Sequence, residues 1–158
     1  MFEKILVPLD GSKHSLNALQ TAIQIAKKFD GKITLIHVYS VNVSWATRPP
    51  ATYSNLTMNS YVPQMAQDDV SKVEEASQKA AANILEDGRD QVEGEEVEVE
   101  TLLKEGHAVK EITNAARDGE FDLIVIGSRG LSRMKEILLG SVSVGVIRNA
   151  SCPVLVSK

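Results

Sequence analysis

Five short runs rich in Val, Ile and Leu punctuate this chain of 158 residues, at 2–9 (FEKILVPL), 32–39 (KITLIHVY), 96–103 (EVEVETLL), 121–126 (FDLIVI) and 153–157 (PVLVS). Within them the stretches ILV, LIVI and VLV are uninterrupted by any polar residue. A strand with one wet face alternates apolar and polar residues, so unbroken runs predict strands covered on both faces, as in a parallel sheet.

Between the runs lie four segments with apolar residues at helical spacing. The first places Leu16, Leu19, Ile23 and Ala26 on one face, with Ser12 as N-cap and Gly31 as its close. The second, 64–87, carries Val70, Val73, Ser77, Ala81 and Ile84 on a stripe, with Gly88 as its stop. The third, 107–118, aligns Val109, Ile112 and Ala116, and the fourth, 140–149, aligns Val142, Val146 and Ala150. The order βαβαβαβαβ predicts an α/β fold of three layers, a parallel sheet with right-handed crossovers and helices on both faces. In such folds ligands bind outside the carboxyl ends of the strands, where the strand order reverses. Those ends are Pro8-Leu9-Asp10-Gly11, His37-Val38-Tyr39, Lys104-Glu105-Gly106-His107 and Gly127-Ser128-Arg129-Gly130.

The length suits one domain, 1–158, able to bury a core without disulfides or metals. The exception to the rhythm is 40–63, which holds three prolines and Trp45 and follows neither period. It is predicted to be a long loop, of the kind that forms lids or partner surfaces. A net charge of −4 without any Lys/Arg cluster argues against nucleic acid and anionic membrane as partners. No apolar run approaches the ~20 residues of a membrane span, and no basic and apolar leader opens the chain. With Cys152 as the single cysteine, an intrachain disulfide is impossible, and a cytoplasmic location is expected.

Of the 10 glycines, three fall at Gly127, Gly130 and Gly140. Gly127 would allow a sharp turn after the fourth strand, and Gly130 a close passage of backbone beside a ligand. Nine residues later, Gly140-Ser141 stands where the last helix begins. Unpaired amides at a helix start, with the helix dipole, attract an anion. Ser141 and Ser143 add hydroxyls there, and Arg129 adds charge. The bland alternative is that these are turn and cap residues only. There is no GxxxxGK[ST], and no GxGxxG follows the first strand, so a phosphate would be held by a split cradle without a P-loop lysine.

The spacing Gly127-x-x-Gly130, nine residues, then Gly140-Ser141 resembles the nucleotide motif of the ATP-binding universal stress proteins. KILVPLDGS from Lys4, HVY at the end of the second strand and ASCPVLV from Ala150 extend the resemblance over nearly the whole chain. It implies an adenine nucleotide α hydrolase-like, Rossmann-like sandwich with strand order 3-2-1-4-5 and ATP across the ends of the first, second and fourth strands. By the same resemblance Pro8, Leu9 and Asp10 line the adenosine pocket, with the Asp10 carboxylate facing the ribose, and the backbone of Val38 meets adenine. Gly127, Ser128, Arg129 and Gly130 border the ribose and phosphates, while Gly140, Ser141, Val142 and Ser143 hold the phosphate chain. A divalent ion, Mg or Mn, would ride on the phosphates rather than on protein side chains. The family also implies a homodimer through the last strand, and an intact nucleotide motif without an evident catalytic set leads to the expectation of an unidentified regulatory protein partner.

For Asp10 a plain turn-and-cap role, Asp-Gly-Ser after a strand, stands beside the ribose role. The expected function is a nucleotide-dependent regulator in stress response. One alternative is a slow ATP hydrolase, for which Asp10, His14, Arg129 and Arg133 are the candidates. Another is a partner-binding module using Trp45, Tyr53 and Tyr61. His14, His37 and His107 follow no metal-ligand spacing and are expected to be structural or solvated. Cys152 before a proline is expected to pack rather than react. EGEEVEVE at 93–100 is expected to form a solvated edge, with glutamates outward and valines inward.

Overall fold

The structure, a computed structural model, describes residues 1–41, 64–131 and 139–158, and of 64–68 only the helical backbone. Along the chain run β1 (Lys4–Pro8), α1 (Lys13–Phe29), β2 (Lys32–Tyr39), α2 (Gln64–Asp90), β3 (Val99–Glu105), α3 (Ala108–Asp118), β4 (Leu123–Gly127), α4 (Ser141–Asn149) and β5 (Val154–Ser157). The strands form one five-stranded parallel sheet in the order β3-β2-β1-β4-β5, the order expected from the resemblance.

The unbroken apolar runs divide between two cores because successive residues of a strand point to opposite faces. On one face Ile5 and Val7 of β1 and Leu123 and Val125 of β4 pack with Leu19 and Ile23 of α1 and Leu85 of α2. On the other, Leu6, Ile124 and Ile126 pack with Ile112 and Ala116 of α3 and Val146 of α4. Each such side chain withdrawn from water stabilises the fold by about 1.5–3 kcal/mol before the entropy of ordering is subtracted.

Several boundaries differ from the sequence expectation, each for a tertiary reason. Gly88 is no stop: α2 continues through it to Asp90. The residue is buried, and a Cβ there would run into the Leu9 side chain of the cavity wall, so glycine lets the helix lie close on the sheet. α1 ends at Asp30, which takes the left-handed cap conformation (φ 54°), while Gly31 donates its amide to the Ala26 carbonyl at 2.9 Å. β3 begins at Val99 rather than 96, because Glu96 sits at φ 53° in the connection from α2. Val142, expected on the buried stripe of α4, is 37% exposed, since the first turn of α4 overhangs the strand ends instead of the core. Most of the long loop, 42–63 with Trp45, Tyr53 and Tyr61, lies outside the described residues, as does Arg133.

The outer strands differ in character. β3 and the turn before it expose Glu96, Glu98 and Glu100, as expected for a solvated edge, whereas β5 (VLVS) carries no charge. Among the described residues no helix is long and apolar enough to cross a membrane.

Candidate functional site

The chain runs outward from β1 through β2 to β3, then crosses back to β4 on the other side of β1. The two connections leave the sheet in opposite directions and open a crevice at the carboxyl ends of β1, β2 and β4. A cavity of about 320 Å³ occupies it. Every residue expected to bind nucleotide lines this cavity except Ser128; of the hydrolysis candidates Asp10 and Arg129 line it, His14 does not.

The first wall is the end of β1. Asp10 Oδ1 accepts the amide of Ser12 at 2.9 Å, the Asx turn foreseen as its bland role. Its other oxygen turns toward the glycine loop, where a Cβ on Gly130 would lie 2.5 Å from Oδ2. One oxygen of Asp10 thus holds the turn, and the other is turned toward the glycine loop of the cavity. Next to it, Pro8 is the last β1 residue in register with β2, opposite Ile36, and Leu9 still donates to the Ile36 carbonyl at 2.8 Å. Two residues on, the main-chain groups of Val38 point the same way as those of Ile36, into the gap left where β1 has ended. His37 Nδ1 lies 2.6 Å from the Leu9 carbonyl. A carbonyl only accepts, so Nδ1 carries the proton, and this histidine ties the wall together as a structural group.

The second wall joins the two glycine segments. The Gly140 amide donates to the Ser128 carbonyl at 2.7 Å, and Ser143 Oγ donates to the Gly127 carbonyl at 2.8 Å. Segments ten or more residues apart in sequence thus meet at one point. Gly140 is the N-cap of α4 and supplies no side-chain acceptor, so the first amides of the helix, which have no intrahelical partner in any helix, also lack a side-chain cap. The neighbouring α1 contrasts with it, because Ser12 Oγ accepts its Ser15 amide at 3.2 Å. An anion reaching the crevice finds its open donors on α4. Arg129 lines the same cavity, and its buried Nε has no hydrogen-bond partner among the described residues. A buried unpaired donor on a cation costs stability, and an anion in the cavity would satisfy it.

Three expectations are corrected in detail. Ser128 is 2% exposed and faces away from the cavity, with Oγ 3.4 Å from His14 Nδ1 and its carbonyl spent on Gly140. Ser143 gives no free hydroxyl, because its one hydrogen goes to the Gly127 carbonyl. Gly127 makes no sharp turn: it is the last residue of β4, and none of the three motif glycines has a positive φ. A Cβ on Gly127 would lie 2.7 Å from the backbone of His14, so close packing against α1 selects glycine there.

Sequence reasoning missed the apolar side of the cavity, made by Ile36, Ile126 and, from α3, Ala108 and Ile112. The available signal was that Ala108 and Ile112 lie one helical turn apart at the end of α3 that follows β3. Cys152 is partly buried against the α3–α4 core. Burial, with a smaller effect of the Asp122 carboxylate, pushes its thiol up, away from the reactive thiolate. Among the described residues no group of His, Cys, Asp and Glu could hold a metal ion.

Fold and site together define a three-layer α/β protein with a crevice where the strand order reverses, lined by Arg129 and the uncapped start of α4. The sequence model of the universal stress protein family matches residues 1–158, and the chain belongs to that family. Universal stress protein YxiE of Bacillus subtilis is 36% identical over 99% of this chain and 99% of its own length. Universal stress protein MJ0531 of Methanocaldococcus jannaschii is 35% identical over 100% of this chain and 83% of its own. Among solved structures, MJ0577 matches with a TM-score of 0.78 at 26% identity, covering 100% of this chain and 96% of that one. A universal stress protein in complex with cAMP matches with a TM-score of 0.64 at 26% identity, covering 99% and 97%.

Proposed function

We propose that this universal stress protein binds ATP in the crevice and acts as a nucleotide-dependent regulator. The observation that carries the reading is the bond from the Gly140 amide to the Ser128 carbonyl, which brings the Gly130 loop and the uncapped start of α4 together beside an apolar slot. The volume, about 320 Å³, is at the lower end for small-molecule sites, which span about 300–1,000 Å³. It suits adenosine, with the phosphates at the rim where Ser141 is exposed. In this reading adenine lies among Ile36, Ala108, Ile112 and Ile126 and meets the free main-chain groups of Val38. The ribose hydroxyls face Asp10 Oδ2, and Arg129 with the amides of Ser141, Val142 and Ser143 holds the phosphates. Mg or Mn, where present, would be carried by the phosphates. The relative solved with cAMP supports an adenine ligand for this fold and site.

Among the described residues the cavity lining holds one carboxylate, Asp10, and no histidine, which favours binding over turnover. The test is to extract nucleotide from purified protein, then measure ATP affinity by calorimetry and hydrolysis with labelled ATP. Bound ATP with turnover no faster than the buffer supports the regulator. Turnover above background makes the protein a slow hydrolase, and absence of any nucleotide affinity leaves a partner-binding module.

The dimer belongs to the same proposal. Ile124 and Ser128 donate to the carbonyls of Pro153 and Ser157, so these alternate residues face β4 and Val154 and Val156 present their main-chain groups outward. Paired β3 edges would oppose glutamates, whereas paired β5 edges oppose none. Sedimentation at micromolar concentration should give a dimer, and Val156→Pro, which deletes an outward amide, a folded monomer. A monomeric wild type would refute pairing through β5.

A further inference from the structure

Ser128 was expected to border the nucleotide and instead sits behind the cavity wall with both of its main-chain groups engaged. Its carbonyl accepts the Gly140 amide at 2.7 Å and lies 3.4 Å from the Ser143 hydroxyl, so it bears directly on the start of α4. Its amide donates in the other direction, to the Ser157 carbonyl at 2.6 Å, at the end of the outer strand β5. Gly127, the residue before it, is in register with Ser157. The same end of β5 is held from α1, by Asn17 Nδ2 on the Lys158 carbonyl at 3.1 Å and by Thr21 Oγ1 3.4 Å from Ser157 Oγ.

We propose that Ser128 is a positioning residue that couples occupancy of the α4 amides to the order of the C-terminal end of β5. This rests on the nucleotide reading above and adds to it a route by which binding is read at the sheet edge. An anion on the amides of Ser141 to Ser143 restrains the first turn of α4. That restraint passes through Gly140 to the Ser128 carbonyl. One peptide plane away, the Ser128 amide fixes Ser157. The hydroxyl of Ser143 braces the joint, since it reaches the carbonyls of both Gly127 and Ser128. The Gly127 carbonyl and the Ser128 amide belong to one planar peptide unit, so the Ser143 hydroxyl on that carbonyl restrains the unit whose amide holds Ser157. Coupling of this kind is reciprocal: what orders the end of β5 must favour the ligand-ready form of α4 to the same degree.

The two hydrogen bonds at the joint are read directly by exchange of the Ser128 and Gly140 amides in the full chain. Saturating ATP should slow both, the Ser128 amide by at least about fivefold, the low end of ordinary site-to-site coupling. A second arm needs no nucleotide. Asn17→Ala with Thr21→Val removes the side-chain holds on Ser157 and Lys158 at residues outside the cavity lining, and should speed exchange of Gly140 by a similar factor, with the core amide of Ile124 unchanged as the check on folding. Should the Gly140 amide of that variant exchange at the wild-type rate, the coupling is overturned whether or not ATP binds. Should ATP bind and slow Gly140 but leave Ser128 unmoved, it is overturned as well. Failure of ATP to bind, with the second arm positive, would sink the nucleotide reading and leave the joint standing.

Discussion

Gly140→Asp should make the protein slightly more stable and nearly abolish its affinity for ATP. Gly140 has the extended N-cap conformation (φ −73°, ψ 159°) that any residue can adopt, and a Cβ there would sit 3.5 Å from Arg129 Cα, an ordinary contact. An aspartate in that place accepts the open amides of α4 and complements its dipole, worth about 0.5 kcal/mol over glycine. The same carboxylate then occupies the donors proposed for phosphate and repels it. Losing one or two charge-assisted hydrogen bonds costs about 3 kcal/mol, or about 100-fold in Kd. Gly140→Asn, which caps without charge, should lose clearly less. Urea titration and calorimetry on the three proteins check both signs, and wild-type affinity in Gly140→Asp would exclude the start of α4 as the phosphate site.

Gly127→Ala should act in the opposite way, on the fold first. The added methyl would lie 2.7 Å from the carbonyl carbon and oxygen of His14 and 2.8 Å from the Ser15 nitrogen. These are backbone atoms in the first turn of α1, which is anchored by the Ser12 cap and by the bond of Ser12 Oγ to the Arg129 carbonyl at 3.5 Å. No side chain can swing away, so α1 must shift as a body. A cost of about 3 kcal/mol is the upper part of the range for overpacked cores, and at this size it lowers Tm by about 6–12 °C. An unchanged Tm would show that α1 does not constrain this position.

Much of the architecture was legible because the responsible physics is local or periodic. Unbroken apolar runs marked strands with two dry faces, and the 3.6-residue stripes marked the helices that cover them. Ser12 announced the start of α1 because a hydroxyl needs only a neighbouring amide to cap. Gly88 misled for the complementary reason: glycine signals a stop or a close approach equally well, and only the position of Leu9 across the helix–sheet interface distinguishes them.

The site divides along the same line. Order along the chain was enough to place Asp10, Val38, Gly130 and Gly140 at the ligand end of the sheet, since parallel strands joined by crossovers deliver all their carboxyl ends to one edge. Which atoms remain free there is a property of three-dimensional neighbours. Ser143 and Ser128 carry groups fit for a phosphate, yet one gives its hydrogen to the Gly127 carbonyl and the other is turned toward His14 and β5. Ala108 and Ile112 carry no polar group that would mark a site, only a helical spacing, and enter the cavity because α3 packs beside β2. Residue types and their spacing thus decided the class of fold and the region of the site, through interactions a few residues long. The assignment of individual donors, and the difference between Gly127 and Gly140, awaited tertiary contacts, because a hydrogen bond is satisfied or left open by whatever segment arrives beside it.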